Sequence, residues 1–121
     1  MKKLILSLVA LAGVMTASAQ VAENYNKGAE ALNAKNFAEA AKLFEQVVDE
    51  GITSEDATVL QQVENAKKYV VSSYRNMGMA AAKTGDYDAA VNNLNTAIER
   101  AEEYGNAKDK ATLNEIGRAH V

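Results

Sequence analysis

Two glycines, Gly28 and Gly78, are each followed nine residues later by an aromatic side chain, Phe37 and Tyr87, and the spacing beyond each aromatic is the same. Ala40, Phe44 and Val47 lie three, seven and ten residues past Phe37, and Ala90, Leu94 and Ala97 lie at those offsets past Tyr87. Steps of three, four and seven place side chains on one face of an α-helix, whereas a half-buried strand needs strict alternation, which no stretch shows. The chain therefore carries two copies, in register, of one pair of short helices. In the second copy Gly85 suits the left-handed position that ends a helix, and Asp86 can accept from the free N–H groups that open the next. In the first copy Lys35 and Asn36 stand in those places. Asn36 can still cap, and Glu39 sits where a capping box requires it, at the cost of backbone strain at Lys35.

The stretch 73–99 resembles the tetratricopeptide repeat, whose pattern runs from an opening aromatic through Leu-Gly and a Gly-Asp-Tyr-like turn to an Ala and a large apolar residue. Tyr74 takes the aromatic place, Met77 and Gly78 that of Leu-Gly, Gly85, Asp86 and Tyr87 the turn, and Ala90, Leu94 and Ala97 the second helix. Glu102 replaces the closing Pro, and the first copy departs further, with Asn24 and Lys27 at its opening. The resemblance implies an all-α fold of antiparallel helical hairpins stacked as a right-handed solenoid. It also implies that Gly78 lies against Ala90, a contact that offsets the roughly 1 kcal/mol a glycine costs in a helix.

Uninterrupted repeats recur about every 34 residues, so the spacing of 50 between Gly28 and Gly78 leaves 16 residues to be housed. Gly51 is expected to end one helix, Thr53 or Ser54 to cap the next, and Glu55 and Asp56 to favour its positive end. An apolar stripe through Leu60, Val63, Lys67, Val70, Tyr74, Met77 and Ala81 then predicts one helix over about 54–83, roughly 45 Å long. Its first half overhangs the hairpin. The strip formed by Val59, Leu60 and Val63 is expected to be covered by the end of the preceding helix, near Val47 and Val48.

The N-terminus has basic Lys2 and Lys3, an apolar run from Leu4 to Met15, and Ala17-Ser18-Ala19 before Gln20. This is the pattern of a secretory signal over 1–19 cleaved after Ala19, bacterial in style, with the periplasm as destination or secretion beyond it. The apolar run is short of the about 20 residues that span a bilayer. Loss of the leader removes two lysines and no acid and takes the net charge from −3 to −5. A mildly acidic domain without a basic stripe argues against nucleic acid. With no Cys, no Trp and 6% aromatic residues, the core must rest on Ala, Val, Leu and Met.

The helical domain is expected over 20–114: a first repeat over about 21–50, the long helix and second repeat over about 54–104, and the start of a third pair over about 107–114. The last residues, EIGRAHV, are the translation of a nucleotide string whose bulk is a widely used sequencing adapter. Residues 115–121 are therefore expected to be a non-native tail and the chain to be a fragment.

The one His, His120, falls in that tail, which leaves no base for a Ser/His or Cys/His pair and no His/Cys metal site. The pairs Glu102–Glu103 and Asp49–Glu50 read as solvated helix faces, and Glu64–Lys68 as an i,i+4 surface pair. Met77 is expected in the core and Met79 outside it. No enzyme, no cofactor and no metal is expected. By resemblance, the first helices of such hairpins line a concave groove that takes peptides or partner helices. The groove residues are Tyr25, Ala29 and Asn33 in the first copy and Arg75, Met79 and Lys83 in the second. Tyr25 and Ala29 depart from the family's carboxylate clamp, which Asn76 alone matches. The expected function is a protein-interaction scaffold of the bacterial cell envelope; the alternative is the periplasmic sensor portion of a larger membrane-bound signalling protein.

Overall fold

The computed structural model describes residues 16–105. The apolar run of the leader, the start of a third helix pair over 107–114 and the tail 115–121 lie outside the described residues. Four α-helices follow one another: α1 Ala17–Asn33, α2 Phe37–Gly51, α3 Ala57–Lys83 and α4 Tyr87–Glu103. Each packs chiefly on its neighbours in the chain, and α1 also meets α3. The architecture is all-α, antiparallel hairpins stacked side by side, as the repeated spacing predicts.

The two turns are built identically. Asp86 N–H donates to the Ala81 carbonyl at 2.9 Å and Gly85 N–H to that of Ala82 at 3.1 Å, with Gly85 at φ +83°. Fifty residues earlier Asn36 N–H donates to Ala31 at 2.8 Å and Lys35 N–H to Leu32 at 3.0 Å, with Lys35 held at φ +62°. A left-handed residue followed by a bond back over six residues satisfies the last helical carbonyls. The following side chain caps the next helix: Asp86 Oδ1 accepts from Ala89 N–H at 3.2 Å and Asn36 Oδ1 from Glu39 N–H at 3.4 Å. Because Asn36 N–H is engaged by Ala31, the capping box expected with Glu39 forms only one of its two arms.

The long helix is one unbroken element of 27 residues, about 40 Å. It starts at Ala57 rather than near Ser54, because Asp56 is the cap: its Oδ1 accepts from Thr58 N–H at 2.8 Å, and Ser54 Oγ accepts from Asp56 N–H at 3.1 Å. Gly51 does not act as a left-handed stop. It is buried inside the last turn of α2, where an added Cβ would meet Val63 Cγ2 at 2.5 Å. Its value is close approach.

The apolar stripe of α3 keeps Val63 and Val70 of the expected one and differs by one residue at two places. Val59, Val63, Ala66 and Val70 are buried and Leu60 is exposed, so Ala66 occupies the place read for Lys67. Val59 and Val63 pack with Val47 and Val48 of α2, Val21 of α1 and Phe44 in one core; the overhang is covered from within the chain. Val71, Leu94, Ala97 and Ala101 form a second core, and Tyr74 and Tyr104 pack against both. The first half of α3 thus completes the first hairpin, and its second half opens the next.

Small residues set the helix separations. A Cβ on Gly28 would meet the Phe44 ring at 2.9 Å, and one on Gly78 would meet Leu94 Cγ at 2.7 Å and the Ala90 carbonyl at 3.1 Å. The expected Gly78–Ala90 approach is present, with Leu94 closer still. Met77 and Met79 are both half-buried, which corrects the expected split. The first helix also runs across the expected cleavage point: Thr16 Oγ1 accepts from Ala19 N–H at 3.2 Å, and Val21 is fully buried.

Candidate functional site

Of the six groove residues read from the resemblance, three lie on α1 and three on α3, and they divide by environment. Tyr25 is half-buried. Its ring meets Phe44 edge-on at 5.7 Å and Tyr69 at 6.3 Å, and its hydroxyl accepts from Asn65 Nδ2 at 3.3 Å. Proximity to Tyr25, then burial, raises the Tyr69 pKa. Phe44 and Tyr69 meet at 4.9 Å with their rings tilted by 39°, completing an aromatic cluster that joins α1, α2 and α3. Ala29 packs on the same core. Tyr25 and Ala29 therefore belong to the packing of the first core, and Asn33, the last residue of α1, is exposed.

The α3 half is more exposed towards its C-terminal end. Arg75 is half-buried and donates from Nη2 to Ser72 Oγ at 3.3 Å. Met79 is half-buried and Lys83, at the end of the helix, is exposed. About two turns before Arg75 stands Lys68, which the sequence paired with Glu64. The structure pairs Glu64 with Lys67 instead, at 3.2 Å. Lys68 is left exposed beside a shallow cleft of about 220 Å³ that it shares with Glu64, Lys67, Tyr104 and Gly105. Sequence reasoning passed over Lys68 because a single i,i+4 match absorbed it; its place one heptad before Arg75 on an unbroken helix was the available signal.

A second polar feature, invisible to periodicity, links three helices. Glu45 Oε1 on α2 accepts from Tyr74 Oη on α3 at 2.9 Å and from Arg100 Nε on α4 at 3.1 Å. Arg100 also pairs with Glu103 at 3.4 Å. Its hydrogen bond to Glu45 raises the Arg100 pKa; burial raises that of Tyr74, and burial pushes the neighbouring Tyr104 up to about 12. The residues are 55 positions apart at the extremes, so only the folded stack brings them together. This cluster closes on itself and serves cohesion.

Among the described residues no group of His, Cys, Asp and Glu is placed to hold a metal ion, and no helix is long and apolar enough to cross a membrane. The arrangement offers, on α3, the exposed cations Lys68 and Lys83 with half-buried Arg75 and Met79 between them. Comparison with curated proteins gives no match, and comparison with solved structures gives none. The family model for the tetratricopeptide repeat matches residues 71–104, which span the second half of α3 and all of α4. That segment is similar to the tetratricopeptide repeat and lies within an all-α stack of helical hairpins.

Proposed function

We propose that the protein is a non-enzymatic scaffold of the bacterial cell envelope, exported by its N-terminal leader, which binds a protein partner along the groove between α1 and α3. The observation that carries this reading is the position of Arg75, Met79 and Lys83. All three lie on the helix that opens the matched repeat, Arg75 and Met79 half-buried and Lys83 exposed, and none belongs to either core cluster. Tyr25 and Ala29 on α1 are held by aromatic and core packing, which lowers the entropy lost on binding. A photo-reactive residue placed at Met79 is expected to give a discrete adduct in cells, while the same residue at exposed Asp88 on α4 gives none. Equal adducts from both positions, or none from either, would remove the groove from consideration. Export is tested by N-terminal sequencing of the mature protein, with Gln20 expected first.

A further inference from the structure

We propose that the outward face of α3 carrying Lys68, Arg75 and Lys83 docks an acidic segment of the partner protein, rich in Asp and Glu. This rests on the scaffold reading above and narrows it to a partner chemistry.

The charge distribution singles out this helix. In a chain of net charge −3, α2 and α4 each carry four carboxylates and one cation, whereas α3 carries Lys67, Lys68, Arg75 and Lys83 against Glu64 alone. Off the stripe, three of the five described cations are paired within the protein, Lys27 with Glu23 at 2.9 Å, Lys67 with Glu64 at 3.2 Å and Arg100 with Glu45 at 3.1 Å, while Lys35 and Lys42 stand singly on the α1–α2 turn and on carboxylate-rich α2. On the stripe none of the three cations has a carboxylate partner among the described residues. Arg75 is held to the neutral Ser72 hydroxyl.

Their spacing fits a ligand that runs along the helix. At about 100° per residue, Lys68, Arg75 and Met79 lie within about 40° of one another, and Lys83 about 60° from Lys68. Val63, Ala66 and Val70, which are buried in the core, lie on the opposite side. The three cations are separated by seven and eight residues, about 10 and 12 Å of helix, a distance over which an extended or helical acidic segment presents several carboxylates. Met79, between Arg75 and Lys83, supplies an apolar contact within the stripe. The acidic flanks of α2 and α4 repel such a segment elsewhere, which directs encounter to α3 and makes association faster at low salt.

The test uses the full chain and a fluorescent oligo-glutamate peptide, with oligo-glutamine and oligo-lysine peptides for comparison. Oligo-glutamate alone is expected to bind, more weakly as salt rises. R75E/K83E is expected to weaken binding by about tenfold or more, whereas K27E/K42E, which changes the net charge equally, leaves it nearly unchanged; circular dichroism confirms that both variants fold. No binding of oligo-glutamate, or equal loss in the two variants, would overturn the proposal. The Met79 photo-adduct separates the two readings. If it persists unchanged in R75E/K83E, the groove stands and the acidic partner falls. If it is absent from the unmodified sequence, the scaffold reading falls with it.

Discussion

Gly51 Cα faces the side chain of Val63 so closely that an added methyl would lie 2.5 Å from Val63 Cγ2 and 3.1 Å from Val59 Cγ1. This contact joins the end of α2 to the overhanging start of α3 and places both halves of the first core in register. Gly51→Ala gains helix propensity of about 1 kcal/mol, but Val63 is buried and stiff about its first torsion, so it cannot turn aside. The clash is expected to win, with a net loss of about 1–3 kcal/mol in urea denaturation. Val63→Ala alone also destabilises, and the double variant should lose less than the two single losses together, the mark of a direct contact.

The left-handed residue of the first turn is a lysine, at φ +62°, where the second turn has Gly85. A side chain there costs roughly 1–2 kcal/mol, partly returned because glycine loses more entropy on folding. Lys35→Gly should therefore stabilise by about 0.5–1 kcal/mol, and Gly85→Ala should destabilise by a similar amount. Thermal melts of the two variants with opposite signs check the shared turn geometry.

Ala90 is buried, and its carbonyl lies 3.1 Å from the point where a Cβ on Gly78 would sit. Ala90→Leu forces a large side chain into the closest approach of α3 and α4, at a cost of about 1–3 kcal/mol. Asp88→Ala, at an exposed position of the same first turn, should cost only a few tenths of a kcal/mol. Equal melting temperatures would contradict the register of the second hairpin.

Glu45 is the common acceptor for Tyr74 and Arg100. The Arg100 and Glu45 side chains keep 30% and 27% of their exposure, so water moderates the pair. Glu45→Ala is expected to cost about 1–2 kcal/mol through the stranded hydroxyl and guanidinium. A double-mutant cycle of Glu45→Ala with Arg100→Ala should show a coupling of about 0.5 kcal/mol or more; strict additivity would mean that the geometry carries no energy.

Alkaline pH should loosen the stack. Burial pushes the Tyr104 pKa up to about 12 and raises those of Tyr74 and, after the influence of Tyr25, Tyr69. An unfolded tyrosine titrates near 10, so above that pH the unfolded chain releases protons that the folded chain keeps. The stabilisation is complete below about pH 10 and is lost as pH rises towards 12. For half-buried Tyr104 it amounts to on the order of 1 kcal/mol once solvent screening is allowed for. Urea midpoints across this range should fall, and Tyr104→Phe should flatten the fall.

Helix pairing and turn position were legible in the sequence because both rest on local physics. The offsets past Phe37 and Tyr87 define apolar faces, and Gly85 with Asp86 or Lys35 with Asn36 defines where one helix stops and the next starts; neither depends on a distant residue. Which side of α3 turns inward was not legible, since Val59 and Leu60 are adjacent and equally apolar. The approach of Gly51 and Val21 decided it, by admitting Val59 and Val63 and leaving Leu60 to solvent. Tertiary structure likewise decided the fate of individual charges and rings. Tyr25 had the spacing of a groove residue and packs against Phe44 and Tyr69, while Glu64 pairs with Lys67 and leaves Lys68 without it. Periodicity assigns a residue to a face; what that face meets depends on segments tens of residues away, whose positions exist only once the chain has folded.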